Sequence, residues 1–159
     1  MLTEGLALIY LLFLVLGVTA GLRAVMPLAA LGIGAYLGWI DLSGTWAAFA
    51  GNIITAVILG LLAILELVGD QRPKAPSRKS PGQFGARVVS GGLAGLILGL
   101  PSGNWIAGLI LGAIGAVLGT LGGFEARRWL AKAFGRDLPA ALIEDVVAIV
   151  VAFAVVYLA

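Results

Sequence analysis

The chain has 159 residues, of which 61% are hydrophobic and only 11% are charged. Soluble domains carry about 25% charged residues, so this composition excludes a water-soluble fold and predicts a single transmembrane domain over residues 1–159. Cysteine and histidine are both absent, which excludes disulfide bonds, thiolate chemistry and the commonest metal ligand, and the net charge is only +2.

Six apolar segments are long enough, or nearly long enough, to cross a bilayer. A bilayer core needs about 20 apolar residues in helical form, with a range of about 17–25. The predicted spans are residues 5–22, 26–40, 46–68, 84–100, 104–124 and 138–159. The second is short, and a re-entrant segment is the alternative there. The sequence therefore predicts an all-α fold, a polytopic transmembrane helix bundle of about six spans.

Two of the connecting segments are polar and basic. Residues 70–83 contain Pro73, Pro76 and Pro81, which predicts a non-helical loop. Residues 125–136 place apolar and basic side chains on opposite faces at helical spacing, which predicts an amphipathic helix lying in the membrane interface.

The basic residues predict the orientation of the chain. With six spans, all ten fall on one side of the membrane. Because cytoplasmic loops carry the excess of Lys and Arg, that side is predicted to be cytoplasmic, with both termini on the other side. This distribution accounts for the positive charge without nucleic acid binding. Aromatic residues form a predicted interfacial belt at the outer ends of the spans: Tyr36, Trp39, Trp46, Trp105 and Tyr157.

The start of the chain does not resemble a secretory signal peptide. It begins Met1-Leu2-Thr3-Glu4, with an acidic residue where a signal peptide carries a basic region. The first apolar segment is therefore predicted to remain as a transmembrane helix.

Glycines recur on one face of three predicted spans. They are Gly17 and Gly21, then Gly91, Gly95 and Gly99, then Gly108, Gly112, Gly115, Gly119 and Gly123. Small residues allow helices to approach closely in a membrane. Two interpretations follow: these faces pack the helices of one chain together, or one of them forms a homo-oligomer interface.

Five ionisable residues lie inside or beside the predicted spans: Arg23, Glu66, Asp70, Glu144 and Asp145. Such residues are costly at membrane depth and are candidate functional groups. All are predicted at cytoplasmic ends of spans, where we expect them to converge. In a structural interpretation Arg23 pairs with Glu66 or Glu144. In a functional one the cluster binds an ion or an anionic head group, and only one of the adjacent Glu144 and Asp145 faces inward.

Other basic residues are predicted to contact anionic lipids. They are Arg72, Lys74, Arg78, Lys79, Arg127 and Arg128. Each Lys or Arg near an anionic membrane surface contributes about 1 kcal/mol to membrane association. The bilayer itself is therefore the first predicted partner, with anionic lipids preferred.

Four short motifs resemble one family of small bacterial integral membrane proteins, domain of unknown function 4126. The motifs are Gly21-Leu22-Arg23-Ala24-x-x-Pro27, Glu66-Leu67-x-x-Asp70-x-x-Pro73, Pro76-Ser77-Arg78 and Leu142-Ile143-Glu144-Asp145. The resemblance spans nearly the whole chain and implies a bacterial inner-membrane location, but it supplies no activity. The family often has Lys after the Asp of the second motif, where this chain has Gln71, so any role of that Lys is expected here only if Arg72 substitutes for it.

Two function classes remain. The leading hypothesis is an inner-membrane protein that binds or moves a small solute or ion, with Arg23 as the anion-binding or gating residue. The alternative is a structural or lipid-organising protein without transport. An enzyme is not expected, because His and Cys are absent and no metal-ligand spacing occurs, so no catalytic residue, metal or cofactor is predicted.

Overall fold

The computed structural model describes residues 2–69 and 79–159, with side chains from Glu4 onward. These residues form six α-helices, one 3₁₀ helix and no strands, which confirms the predicted all-α class. The α-helices are α1 (Leu2–Leu22), α2 (Met26–Tyr36), α3 (Ile53–Gly69), α4 (Pro81–Gly99), α5 (Trp105–Phe134) and α6 (Asp137–Leu158). The 3₁₀ helix, Trp46–Gly51, lies between α2 and α3. The predicted third span, residues 46–68, is therefore not one continuous helix, because the backbone at Asn52 is extended and separates the 3₁₀ helix from α3.

The helices differ in their ability to cross a bilayer. Among the described residues, three helices are long and apolar enough to span: α1, α5 and α6. α2 has only 11 residues, about 16 Å, against a hydrocarbon core of about 30 Å. The protein therefore has apolar helices compatible with a membrane, and the count of six spans stays a prediction.

α2 is shorter than its predicted span of residues 26–40 because the chain turns at Gly38. This glycine has a φ of +78°, in the left-handed region that glycine adopts without strain. The N–H of the following residue, Trp39, donates to the carbonyl of Gly34 at 2.8 Å, which closes the helix end.

α5 is one helix that contains two segments predicted separately from the sequence. Its 30 residues include the predicted fifth span except Asn104, and most of the predicted amphipathic segment, residues 125–136. The helix ends at Gly135, which has a φ of +67°. At about 45 Å it exceeds the hydrocarbon core by about 15 Å. The amphipathic segment is thus a continuation of α5 rather than a separate helix.

Close backbone contacts set the directions of α1, α4 and α5. A Cβ on Gly115 would lie 2.2 Å from the carbonyl oxygen of Leu14, and one on Gly119 would lie 2.2 Å from that of Val18, so α1 and α5 run parallel. A Cβ on Gly95 would lie 2.1 Å from the carbonyl oxygen of Gly108, in the antiparallel α4–α5 hairpin. These approaches are open only to glycine.

α6 packs against both α1 and α2 and fixes the two ends of the bundle. The rings of Trp39 and Tyr157 meet edge to face at 5.3 Å near the end of α6, whereas Arg23 contacts Asp145 in its first half. α1, α3 and α5 therefore finish at one end, where α2, α4 and α6 begin. We call this the charged end; it holds Arg23, Glu66, Arg87, Arg127, Glu144 and Asp145.

Candidate functional site

The candidate site is built on the break between α1 and α2, at residues 23–25. A helix break leaves carbonyl groups at the end of one helix and N–H groups at the start of the next without helical partners. At membrane depth there is no water to satisfy them, so other protein groups must do so.

The exposed apolar surface of α6 extends beyond the level of the break. Asp145, which contacts Arg23, is eight residues beyond the start of α6 at Asp137, or about 12 Å along the helix. Between these two acids, Leu138 and Leu142 are exposed on the outside of the bundle. Apolar, lipid-compatible surface therefore continues past the level of the break.

Arg23 is completely buried and is held by Asp145. Its Nε donates to Oδ1 of Asp145 at 2.7 Å, and its Nη2 forms an ion pair with the same oxygen. Asp145 is only 6% exposed. A buried charge is costly unless it is paired and hydrogen-bonded, so each residue makes the other tolerable at this depth.

Glu66 binds the start of α2. Its carboxylate accepts the backbone N–H of Ala24 at 2.6 Å and that of Val25 at 2.9 Å. These are donors that the helix itself cannot satisfy, and a negative charge is favoured at a helix N-terminus. Since Glu66 lies in the last turns of α3, the contact ties α3 to the break.

Arg87 binds the opposite side of the break, and sequence reasoning missed this role. It is buried, and its Nη1 donates to the carbonyl oxygens of Gly21 at 2.8 Å and Leu22 at 2.6 Å, at the end of α1. The Ser90 hydroxyl donates to the carbonyl of Ala24 nearby. Arg87 lies inside the predicted fourth span, so the depth criterion that selected Arg23 would also have selected it.

Arg127 connects the end of α5 to two acids of α6. It donates to both carboxylate oxygens of Asp137, at 3.0 and 2.6 Å, and its Nη1 lies 3.4 Å from Oε2 of Glu144. Glu144 and Asp145 are both buried, at 7% and 6% exposure. The expectation that only one of them faces inward is therefore wrong. Glu144 contacts Arg127 of α5, and Asp145 contacts Arg23 at the break between α1 and α2.

The remaining candidate residues divide into two groups. Asp70, Arg72, Lys74 and Arg78 lie outside the described residues. Lys79 and Arg128 are well exposed and lie 3.6 and 3.0 Å from carboxylate oxygens of Glu125. Within the described ranges, no group of three or more acidic residues has the geometry of a metal site.

Asp41 lies at the other end of the bundle, in the loop after α2. The hydroxyl and the backbone N–H of Ser43 donate to its carboxylate at 2.6 and 2.9 Å, and these bonds hold the pKa of Asp41 below its ordinary value. Aspartate commonly stabilises turns in this way. Asp41 is thus a turn residue, remote from the candidate site.

Removing the Glu66 carboxylate is expected to destabilise the fold. Glu66→Ala leaves the N–H groups of Ala24 and Val25 without this acceptor, which costs about 1–3 kcal/mol. Glu66→Gln keeps one acceptor oxygen and is expected to cost less. The free energy of unfolding in mixed detergent micelles measures both. Glu125→Ala, at an exposed acid of the same end, serves as control and is expected to change stability by no more than about 0.5 kcal/mol.

Residues 10–158 match the model of one protein family, described as Domain of unknown function (DUF4126). No curated protein and no solved structure matches the chain. The match covers the whole of the site described above, from the end of α1 to α6.

Proposed function

The chain belongs to the DUF4126 family, and from that premise we propose that it is a multi-pass inner-membrane protein that binds and moves a small ion or solute. The observation that supports this proposal best is Arg23, buried at a helix break and paired with Asp145. Ionisable residues within membrane-spanning segments commonly mark the pathways of ions and substrates.

The residues of the charged end have distinct roles in this proposal. Arg23 acts as the gating residue. When its pair with Asp145 opens, the carboxylate becomes able to take a proton or cation and the guanidinium to take an anion. Glu66 and Glu144 provide further proton or cation sites close to the break, and Asp70 is assigned to the same group from the sequence.

The charged end is proposed to face the cytoplasm. The basic residues in the described part of the chain gather there, which agrees with the excess of Lys and Arg on cytoplasmic surfaces. Both termini then lie on the opposite side. A bacterial inner membrane is the proposed location, as the family resemblance implies.

A flux measurement tests the proposal directly. The purified chain is reconstituted in liposomes that contain a pH-sensitive dye, and a potassium gradient with valinomycin drives proton entry. We expect flux well above that of protein-free liposomes, and at least a tenfold loss in Asp145→Asn. Glu125→Gln, an exposed acid at the same end, is expected to leave the rate unchanged.

Wild-type flux no faster than that of protein-free liposomes, for proton, sodium, potassium and chloride gradients alike, would contradict transport. It would favour the second candidate, a structural or lipid-organising protein. One observation supports that candidate: Glu66 and Arg87 bind backbone groups at the break. A stable fold requires such bonds even in a protein that transports nothing.

We also propose that the protein forms a homo-oligomer, but the glycine faces are poor candidates for its interface. The glycines of α1, α4 and α5 meet one another inside a single chain, and Gly112 lies between the other two helices. A second copy would therefore have to bind another face, such as the exposed apolar side of α3.

A further inference from the structure

The outward face of α5 changes character along its length. Exposed residues follow one another at spacings of three or four, which places them on one side of the helix. The part nearer the N-terminus of the helix is aliphatic, with Ile114, Leu118 and Leu121. The part nearer the C-terminus, which we call the basic face, consists of Arg128, Trp129 and Lys132, and Glu125 lies at the boundary between the two parts.

We propose that the basic face binds the headgroup of an anionic phospholipid whose acyl chains lie against Leu118 and Leu121. α5 is one uninterrupted helix, so the two parts contact successive layers of the same membrane. The site requires no ion flux and does not depend on the proposed transport function.

The depth of the basic face fits the headgroup layer. Arg128 lies seven residues, or about 10 Å, beyond Leu121. Side chains on a helix point toward its N-terminus, which for α5 is toward the bilayer, and long basic side chains extend their charge to the interface. Trp129, which is 69% exposed, has the amphipathic ring that is enriched at this level.

The charges of the basic face are complementary to an anionic lipid. Arg128 and Lys132 are both exposed, and Lys79 stands beside them with its Nζ 4.1 Å from the ring centre of Phe124. Lys79 and Arg128 both contact one acid, Glu125, and Lys132 lies about two turns further along the helix. Arg127 contributes little here, because its side chain is turned to the acids of α6 and is 15% exposed.

Tryptophan fluorescence can measure lipid binding at this site alone. Trp39, Trp46 and Trp105 lie at the opposite end of the bundle, so replacing them by Phe leaves Trp129 as the single reporter. This protein is reconstituted in phosphatidylcholine bilayers with increasing amounts of lipids brominated in their acyl chains, either phosphatidylglycerol or phosphatidylcholine. The relative quenching gives the preference for the anionic lipid.

We expect a preference of at least about fivefold, since one basic residue at an anionic surface contributes about 1 kcal/mol, or a factor of about five. Arg128→Gln with Lys132→Gln is expected to bring the ratio to about one. Both side chains are exposed, and circular dichroism checks that the variant folds. A parental ratio near one, or an unchanged ratio in this variant, would overturn the proposal.

A matched control separates a local site from the total charge of the protein. Gly44→Asp with Ala159→Asp changes the net charge by the same amount at the opposite end. Both positions are exposed, and a Cβ on Gly44 meets no atom within 4 Å. We expect this control to keep the full preference for phosphatidylglycerol. A loss as large as that in the variant of the basic face would also overturn the proposal.

Discussion

Replacing Gly112 by alanine is expected to destabilise the fold by about 3 kcal/mol, and replacing it by valine to prevent folding. A Cβ at this position would lie 2.2 Å from the carbonyl oxygen of Gly91 in α4. A Cβ on Gly17 of α1 would in turn lie 2.2 Å from the carbonyl oxygen of Gly112. Neither neighbour is a flexible side chain, so the added methyl group can be accommodated only if helices move apart. Overpacking of this kind costs about 1–3 kcal/mol or more.

The matched control is Gly122→Ala, on the same helix. A Cβ there meets no atom within 4 Å. Alanine is favoured over glycine inside a helix by about 1 kcal/mol, so this variant is expected to be slightly more stable than the parent. Unfolding in mixed detergent micelles measures both free energies. Similar stabilities for the two variants would contradict the close α1–α5–α4 packing.

The second large effect is expected at the buried pair of Arg23 and Asp145. Arg23→Met and Asp145→Leu each leave a charge in the bundle without this partner, and we expect each to cost about 3–5 kcal/mol. The double variant is expected to lose clearly less stability than the sum of the two single losses, because neither charged partner then remains buried without the other. The difference is the coupling free energy of a double-mutant cycle.

The exposed pair of Glu125 and Arg128 provides a matched cycle at the same end of the bundle. These residues are three apart on α5, at 3.0 Å, and both are more than half exposed. Surface pairs of this kind couple by no more than about 1 kcal/mol. Equal coupling in the two cycles would mean that burial of Arg23 does not strengthen its interaction with Asp145.

The same double variant also separates the two function classes. If the buried pair serves only the fold, a folded double variant keeps whatever flux the parent has. If the pair gates an ion pathway, flux is lost although the protein remains folded. A stability assay and a flux assay on one preparation distinguish these results.

The ends of the helices show which boundaries can be predicted from the sequence and which cannot. Apolar segments placed most helix ends correctly to within a few residues. However, α2 stops four residues early, α3 begins seven residues after the start of its predicted span, and α5 continues ten residues further than predicted. Gly38 and Gly135 mark the ends of α2 and α5 through left-handed backbone conformations. The sequence contains many other glycines that do not end a helix, so composition alone could not single out these two.

The sequence by itself determined the helical class and the compatibility with a membrane, because segment hydrophobicity depends only on local composition. It also indicated that Arg23, Glu66, Glu144 and Asp145 belong together, since alternating helix directions bring every second connection to one end. Only the tertiary structure decided that Arg23 meets Asp145, which is 122 residues away, and that Arg87 holds the end of α1. Helices that are apolar on all sides carry little information about which face turns inward. In this protein the inward faces are set by glycine contacts and buried charges, which become visible only when the helices are packed together.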